Sequence, residues 1–294
     1  MTSRFNTLLL REWMQHKRGW LITMLLPPAI FLALLPIGQV EGMSEHLPLG
    51  VAMLGLLIST AAVFGISYAA ALFQLPGLAR RDQQDRSIEF WLSLPASHSE
   101  SIGATVLAHA LLVPLAAALV GFACGGLIAS GLVIKTNGLA GWADVPWLSA
   151  IGLAIPVLLR GLLGIVLMSL WLAPLILIVM AASAWLKRWG VPAVGIAVGV
   201  GGLLLDKVYG LRLVWDLLGA QFEGASLALL ASAEALGRQM QQMEKTGAPF
   251  STLAWAGQDA ELAIRALASP QLIIGLLVAA GCFALLVLKR SRNQ

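Results

Sequence analysis

The chain has 294 residues, of which 59% are hydrophobic and only 12% charged, and its mean hydropathy is +0.84. A soluble domain carries about 25% charged residues, and surface-to-volume scaling would leave much of this apolar chain in contact with water. These values exclude a water-soluble fold and indicate a membrane protein. The net charge of +4 does not indicate nucleic-acid binding, because the basic residues fall at the ends of predicted helices and form no single basic groove.

Six stretches are long and apolar enough to predict transmembrane helices, since about 20 apolar residues cross a hydrocarbon core about 30 Å thick. They cover residues 19–39, 47–79, 101–132, 161–186, 191–205 and 266–288. The fifth is the shortest and ends at Asp206. We therefore expect an all-α, polytopic membrane protein with one integral domain over 19–294.

The lysines and arginines predict the orientation of these helices, because cytoplasmic loops carry an excess of them. With both termini in the cytoplasm, 12 of the 19 basic residues lie on the cytoplasmic side. The segments that hold them are 1–18, 80–100, 187–189 and 289–294. The reverse orientation would place these dense basic clusters outside.

Two segments outside the predicted spans have helical periodicity. In residues 1–18, four apolar positions recur at helical spacing, with arginines on other faces; these positions are Phe5, Leu8, Leu9 and Trp13. This pattern predicts an interfacial helix, although a basic leader that only fixes topology has the same charges. Segment 206–269 has an apolar stripe from Phe222 onward, which predicts a helical segment on the external face before the last span.

The loop 73–100 combines alternating charge with a cluster of large apolar residues, and Pro95 ends the cluster. Such a loop, longer than a reversal of direction needs, fits docking onto a soluble partner, because aromatic residues are enriched at interfaces. An interfacial helix anchored in lipid by Trp91 is the alternative. Either Ser97 or Ser99 is expected to cap the next helix.

Motifs for chemistry are missing from the sequence. It has no G-x-x-x-x-G-K-[ST], H-E-x-x-H or G-x-S-x-G, so no nucleotide, metalloprotease or hydrolase site is predicted and no cofactor is expected on this chain. His109 is the one ionisable residue well inside a predicted span, and we expect no carboxylate in the spans to partner it. This argues against an ion-driven carrier, whose coupling commonly needs intramembrane carboxylates.

Polar and small residues within the spans provide further candidates. A polar transport path is one interpretation of the hydroxyls in the second span, and hydrogen bonding to backbone carbonyls is the other; the residues are Ser59, Thr60, Ser67 and Tyr68. Gly195 and Gly199, four residues apart in the fifth span, are candidates for a close helix contact, as are Gly121 and Gly125 in the third.

The stretch 82–97, D-Q-Q-D-R-S-I-E-F-W-L-S-L-P-A-S, resembles the cytoplasmic loop of type-two ABC exporter permeases, in which a charged stretch runs into D-x-S-I-x-F-W-x-S-L-P-V-S. Ala96 replaces the usual valine. The resemblance implies a permease in the bacterial inner membrane that pairs with a second permease chain, as homodimer or heterodimer, and with a separate subunit that binds ATP and Mg²⁺. The coupling residues it implies are Arg86, Ser87, Ile88, Glu89, Phe90, Trp91, Leu94 and Pro95.

The resemblance also implies that the helix at 4–18 is an elbow helix, and it leaves the cargo undefined. Two other functions stay open from the sequence. One is a membrane scaffold whose aromatic loop recruits a soluble protein without transport. The other is an intramembrane enzyme acting on lipid, with His109 as its base.

The predicted orientation can be tested by cysteine labelling. In Gln83→Cys and Gln294→Cys, a membrane-impermeant thiol reagent should react only from the cytoplasmic side, whereas in Lys245→Cys it should react only from outside. The reason is that loops rich in lysine and arginine stay on the cytoplasmic side of the membrane. The natural Cys124 and Cys282 are first replaced by alanine. Labelling of Lys245→Cys from the cytoplasm would contradict the six-span orientation.

Overall fold

The computed structural model describes residues 2–40, 47–84, 97–246 and 251–292, and the regular elements in these ranges are all helical. In chain order they are α1 (Thr2–Leu34), α2 (Pro48–Gln84), α3 (His98–Leu107), α4 (Val113–Asp144), α5 (Trp147–Leu186), α6 (Gly190–Tyr209), α7 (Leu213–Leu229), α8 (Ala233–Thr246), α9 (Thr252–Ala266) and α10 (Pro270–Ser291). A π-helical turn, Ala108–Leu112, joins α3 to α4, and a 3-10 turn, Lys187–Trp189, joins α5 to α6.

Six helical stretches in the described ranges are long and apolar enough to cross a membrane, which confirms an all-α protein of the multi-pass type. They are Arg4–Leu34, Pro48–Arg80, His98–Asp144, Trp147–Tyr209, Leu213–Gln242 and Pro270–Ser291. The number of candidate spans equals the predicted number, but the spans are not the same six segments. The predicted fourth and fifth spans fall within one helical run, and the stretch containing α7 and most of α8, expected outside the membrane, is itself apolar enough to qualify.

The run Trp147–Tyr209 is nevertheless two helices, because the chain turns back between α5 and α6. Lys187, at the start of the 3-10 turn, has a φ of 55°, in the left-handed region. Gly190 then packs so tightly that a Cβ there would overlap the backbone of Ser183. Only a glycine fits this approach, so α5 and α6 form a hairpin.

Helix α1 continues without interruption through the boundary predicted between an interfacial helix and the first span. Its buried face repeats every four residues and includes Leu8, Glu12, Trp20 and Met24. Trp13, predicted on the apolar face, is 42% exposed. Because one face serves both parts, the N-terminal half packs against the bundle as the rest of α1 does; its placement at a membrane interface stays a prediction.

The central contact of the bundle is between α2 and α4, where small residues allow the backbones to approach. A Cβ on Gly121 would lie 2.9 Å from the Cα of Thr60, and one on Gly125 would lie 3.2 Å from the Cα of Leu56. The Ser59 hydroxyl donates to the Gly121 carbonyl at 2.8 Å. The Gly121–Gly125 pair predicted at a helix contact therefore packs within this chain.

The two ends of the bundle hold different elements. At one end, the start of α3 packs near the C-terminal ends of α2, α5 and α10, in a cluster that includes Leu75, Ala184 and Leu286. At the other end, α8 and α9 cover the N-terminal part of α5 through Leu236 and Trp255. Segment 206–269 is thus mainly helical as predicted, with short turns between its helices, and residues 247–250 lie outside the described residues.

The α2–α4 contact predicts a position-specific effect on stability. Gly121→Leu should lower the free energy of unfolding by about 1–3 kcal/mol or more, because overpacking forces the two backbones apart. Gly126→Leu is the matched control, since a Cβ at Gly126 meets nothing within 4 Å. Unfolding in detergent measures both variants, and equal stability of the two would contradict the contact.

Candidate functional site

The predicted ATPase-coupling residues, from Arg86 to Pro95, lie outside the described residues, so their contacts stay predictions. The structure does describe the start of the helix that follows. Ser97 is the N-cap of α3: its hydroxyl accepts from the backbone N–H of Glu100 at 3.2 Å, and the Glu100 carboxylate accepts from the Ser97 N–H at 2.8 Å. This capping box confirms Ser97 as the cap.

The predicted path hydroxyls do not line one common channel. The Thr60 hydroxyl donates to the Leu56 carbonyl of its own helix at 2.7 Å, and Ser59 bonds across to α4. Ser67 and Tyr68 are buried, and their hydroxyls have no hydrogen-bond partner among the described residues. Thr60 thus bonds to a backbone carbonyl within its own helix, as the alternative interpretation expected, whereas Ser59 bonds to a carbonyl of another helix.

A cavity of about 430 Å³ lies between α1, α2 and α4, and Ser59 is the one predicted path residue that lines it. Its wall on α1 includes Pro27, Pro28 and Phe31. Each proline inside a helix removes one backbone hydrogen bond and loosens the turn before it. The cavity walls are mostly apolar, so a lipid-like or apolar group suits this space better than an ion.

Gly195 and Gly199 make no close contact with other residues that the structure describes. A Cβ on either would meet nothing within 4 Å. Gly202, on the same helix, instead packs against the Trp215 ring. Among the described residues, the two predicted contact glycines are therefore on an open part of α6.

A buried polar cluster near the N-terminal half of α1 was not predicted from the sequence. Glu12 and His109 are both fully buried, and Oε2 of Glu12 lies 3.6 Å from Nε2 of His109. Oε1 of Glu12 accepts hydrogen bonds from Arg11 Nη2 at 2.7 Å and from Thr105 Oγ1 at 2.9 Å. The expectation that His109 lacks an acidic partner is therefore wrong, because Glu12 precedes the first predicted span but lies on the same continuous helix.

Aromatic rings enclose this cluster. The His109 ring meets the rings of His16 and Trp20 edge-on, at centroid distances of 4.8 and 5.1 Å, and His16 stacks on Trp20 at 5.6 Å. His109 stands in the π-helical turn, a kind of irregularity that is often found at functional sites. The carboxylate and both imidazoles thus share one largely desolvated pocket.

A second buried ion pair joins Arg160 to Asp259 at 2.7 Å. Asp259 also accepts from the backbone N–H of Ala231 and from the N–H and hydroxyl of Ser232, while Arg160 Nη1 donates to the Ala228 carbonyl at 2.9 Å. These bonds attach α9 and the α7–α8 turn to α5. The sequence signal for Asp259 is its position in α9, where it is the charged residue on a face formed by positions four residues apart, Trp255, Asp259 and Ala263.

No family model, curated protein or solved structure matches this chain.

The Arg160–Asp259 pair predicts a non-additive effect on stability. Arg160→Met should lower the free energy of unfolding by about 3–5 kcal/mol, because it leaves a buried carboxylate without its cation. The double variant Arg160→Met with Asp259→Asn should be more stable than the single variant. Chemical unfolding in detergent of both singles and the double measures this coupling. Strictly additive losses would show that the two side chains do not depend on each other.

Proposed function

We propose that this chain is the membrane-spanning permease subunit of an ATP-driven ABC exporter of the type-two class. The observation that carries the proposal is the sequence of the loop before α3, in which Asp85, Ser87, Ile88, Phe90 and Trp91 fall in the positions of the family pattern. In this proposal the loop is the coupling helix that inserts into a separate ATP-binding subunit.

The packing of the helix that follows the loop supports this role. The loop connects the end of α2 to the start of α3, and the first turns of α3 contact the N-terminal half of α1: Arg11 Nη2 lies 3.4 Å from the Ser101 hydroxyl, and Thr105 bonds to Glu12. A displacement of the loop would therefore move α3 and α1 together. This is the arrangement that transmission from an ATPase into the membrane requires.

The proposed partners follow from the same reasoning. The chain has no P-loop of its own, so the energy for transport is assigned to the partner ATPase and its Mg²⁺–ATP. A second permease chain is proposed to contact the open face of α6 at Gly195 and Gly199. Both termini and the loop are proposed to face the cytoplasm of a bacterial cell, with α8 and α9 outside.

The two rival functions are weaker on specific grounds. The lipid-enzyme hypothesis gains a carboxylate from the Glu12–His109 contact, but among the described residues no hydroxyl nucleophile hydrogen-bonds to His109. The scaffold hypothesis accounts for the aromatic loop but gives no role to the cavity at Ser59. The exporter accounts for both.

The proposal predicts the effect of removing the loop aromatics. Phe90→Ala with Trp91→Ala should insert normally but lose its co-purifying ATPase, since truncation of a buried aromatic anchor costs at least about 2 kcal/mol, or roughly thirtyfold in affinity. Glu89→Lys should give a milder defect, because a rim charge acts mainly on the association rate. Co-purification of an ATP-binding subunit with this chain, and substrate-stimulated ATP hydrolysis, are the measurements.

The matched control is Phe73→Ala with Trp189→Ala, which removes two exposed aromatics away from residues 86–95, one in α2 and one in the turn between α5 and α6. This variant should keep its partner. If the loop variant retained both partner and hydrolysis, the coupling role would be wrong. If it lost a soluble partner that does not hydrolyse ATP, the scaffold would be supported instead.

A further inference from the structure

We propose that Glu12, His16 and His109 form a binding site for a divalent transition-metal ion of the zinc class. The three side chains come from two elements, α1 and the π-helical turn, and each offers one ligand atom within 4.8 Å of the others. The proposal concerns a site on this chain and does not depend on the exporter assignment.

The spacing of the ligand atoms fits an ion better than direct contact. Oε2 of Glu12 lies 3.6 Å from His109 Nε2 and 3.7 Å from His16 Nδ1, both longer than a hydrogen bond. A tetrahedral ion with bonds of about 2.0–2.1 Å holds neighbouring ligand atoms about 3.3 Å apart. The third separation, between nitrogens of the two imidazoles, is up to 4.8 Å, so binding requires these two rings to move closer together. An incoming ion competes with one contact of His16 Nδ1, to the Glu12 carbonyl at 3.1 Å.

His109 supplies the second, independent reason for a ligand here. The side chain is fully buried, and neither ring nitrogen has a hydrogen-bond partner among the described residues. A buried polar group without such a bond costs about 1–3 kcal/mol. Coordination of an ion by a ring nitrogen of His109 would remove the cost for that nitrogen. The Trp20 ring, which packs edge-on against His109, does not replace the missing hydrogen bond.

The other bonds of Glu12 resemble the outer shell of a metal site. Thr105 Oγ1 and Arg11 Nη2 both bond to Oε1, and this directs Oε2 toward the two imidazoles. Outer-shell groups of this kind orient the ligand atom that binds the ion. The positive charge of Arg11 repels a metal cation. We therefore expect readily exchangeable binding, weaker than in a closed structural zinc site.

The ligand types select the ion. Two imidazoles and one carboxylate suit Zn²⁺, Co²⁺ and similar ions, whereas Ca²⁺ and Mg²⁺ prefer shells of oxygen alone. Three protein ligands leave the fourth coordination position of the ion open to water or to another small ligand. Because Glu12 and His109 are fully buried, the partly exposed His16 is the route of access.

The test uses the full-length protein, purified in detergent and stripped of metal with a chelator. Titration with Co²⁺, followed by visible absorption, and competition by Zn²⁺ should show one ion per chain. His109→Ala, Glu12→Gln and His16→Ala should each weaken binding by at least roughly a hundredfold. Thr105→Val should weaken it by about tenfold, because the ligand loses orientation only. His98→Ala, which changes a histidine at the start of α3 outside the cluster, is the matched control and should bind as the natural chain does.

Several outcomes would overturn the site. Failure of the natural chain to bind one equivalent would do so, as would unchanged binding in His16→Ala or in Thr105→Val. If His109→Ala or Glu12→Gln did not fold, these last two variants would decide, because His16 is only partly buried and valine matches threonine in shape. None of these measurements involves the ATPase, so failure here is distinct from failure of the exporter proposal.

Discussion

Burial of a carboxylate away from water requires a cation or several N–H and O–H donors around it, and this requirement sets the positions of the helices at both ends of the bundle. Glu12 is held by Arg11 and Thr105, which ties α1 to α3. Asp259 is held by Arg160 and by the turn before α8, which ties the α7–α9 region to α5. Between these two points the bundle is held by apolar packing and by close backbone contacts.

The close contacts have a different physical origin. Lipid tails are as apolar as leucine side chains, so the hydrophobic effect does little to hold one transmembrane helix against another. Van der Waals contact between backbones takes its place, and α2 and α4 achieve it at Gly121 and Gly125. The same kind of pair at Gly195 and Gly199 has no partner helix close by among the described helices. Identical spacing therefore does not by itself show that a helix contact forms within the chain.

The sequence predicted the all-α, multi-pass character well, because hydropathy over 20 residues responds directly to the thickness of the bilayer. It missed Glu12 because a search confined to apolar windows cannot see a carboxylate in the helical extension of a span. The sequence did contain an indication of it, because Glu12 shares the four-residue spacing of Leu8, Trp20 and Met24 and so lies on the same helix face. Asp259 was missed because its partners, Arg160 and the turn at Ala231 and Ser232, lie far from it along the chain, and nothing in the sequence pairs them with it. The apolar content of α7 also made the membrane boundary there ambiguous.

The π-helical turn Ala108–Leu112 has a mechanical consequence for the two helices it joins. It contains one residue more than an α-helical turn of the same length, so α3 and α4 are offset in angular phase. Loss of that extra residue from the turn, by its reversion to α-helix, would rotate α3 relative to α4 by about 100°, since each residue contributes that angle. If α4 kept its contact with α2 at Gly121 and Gly125, α3 would present a different face to α1.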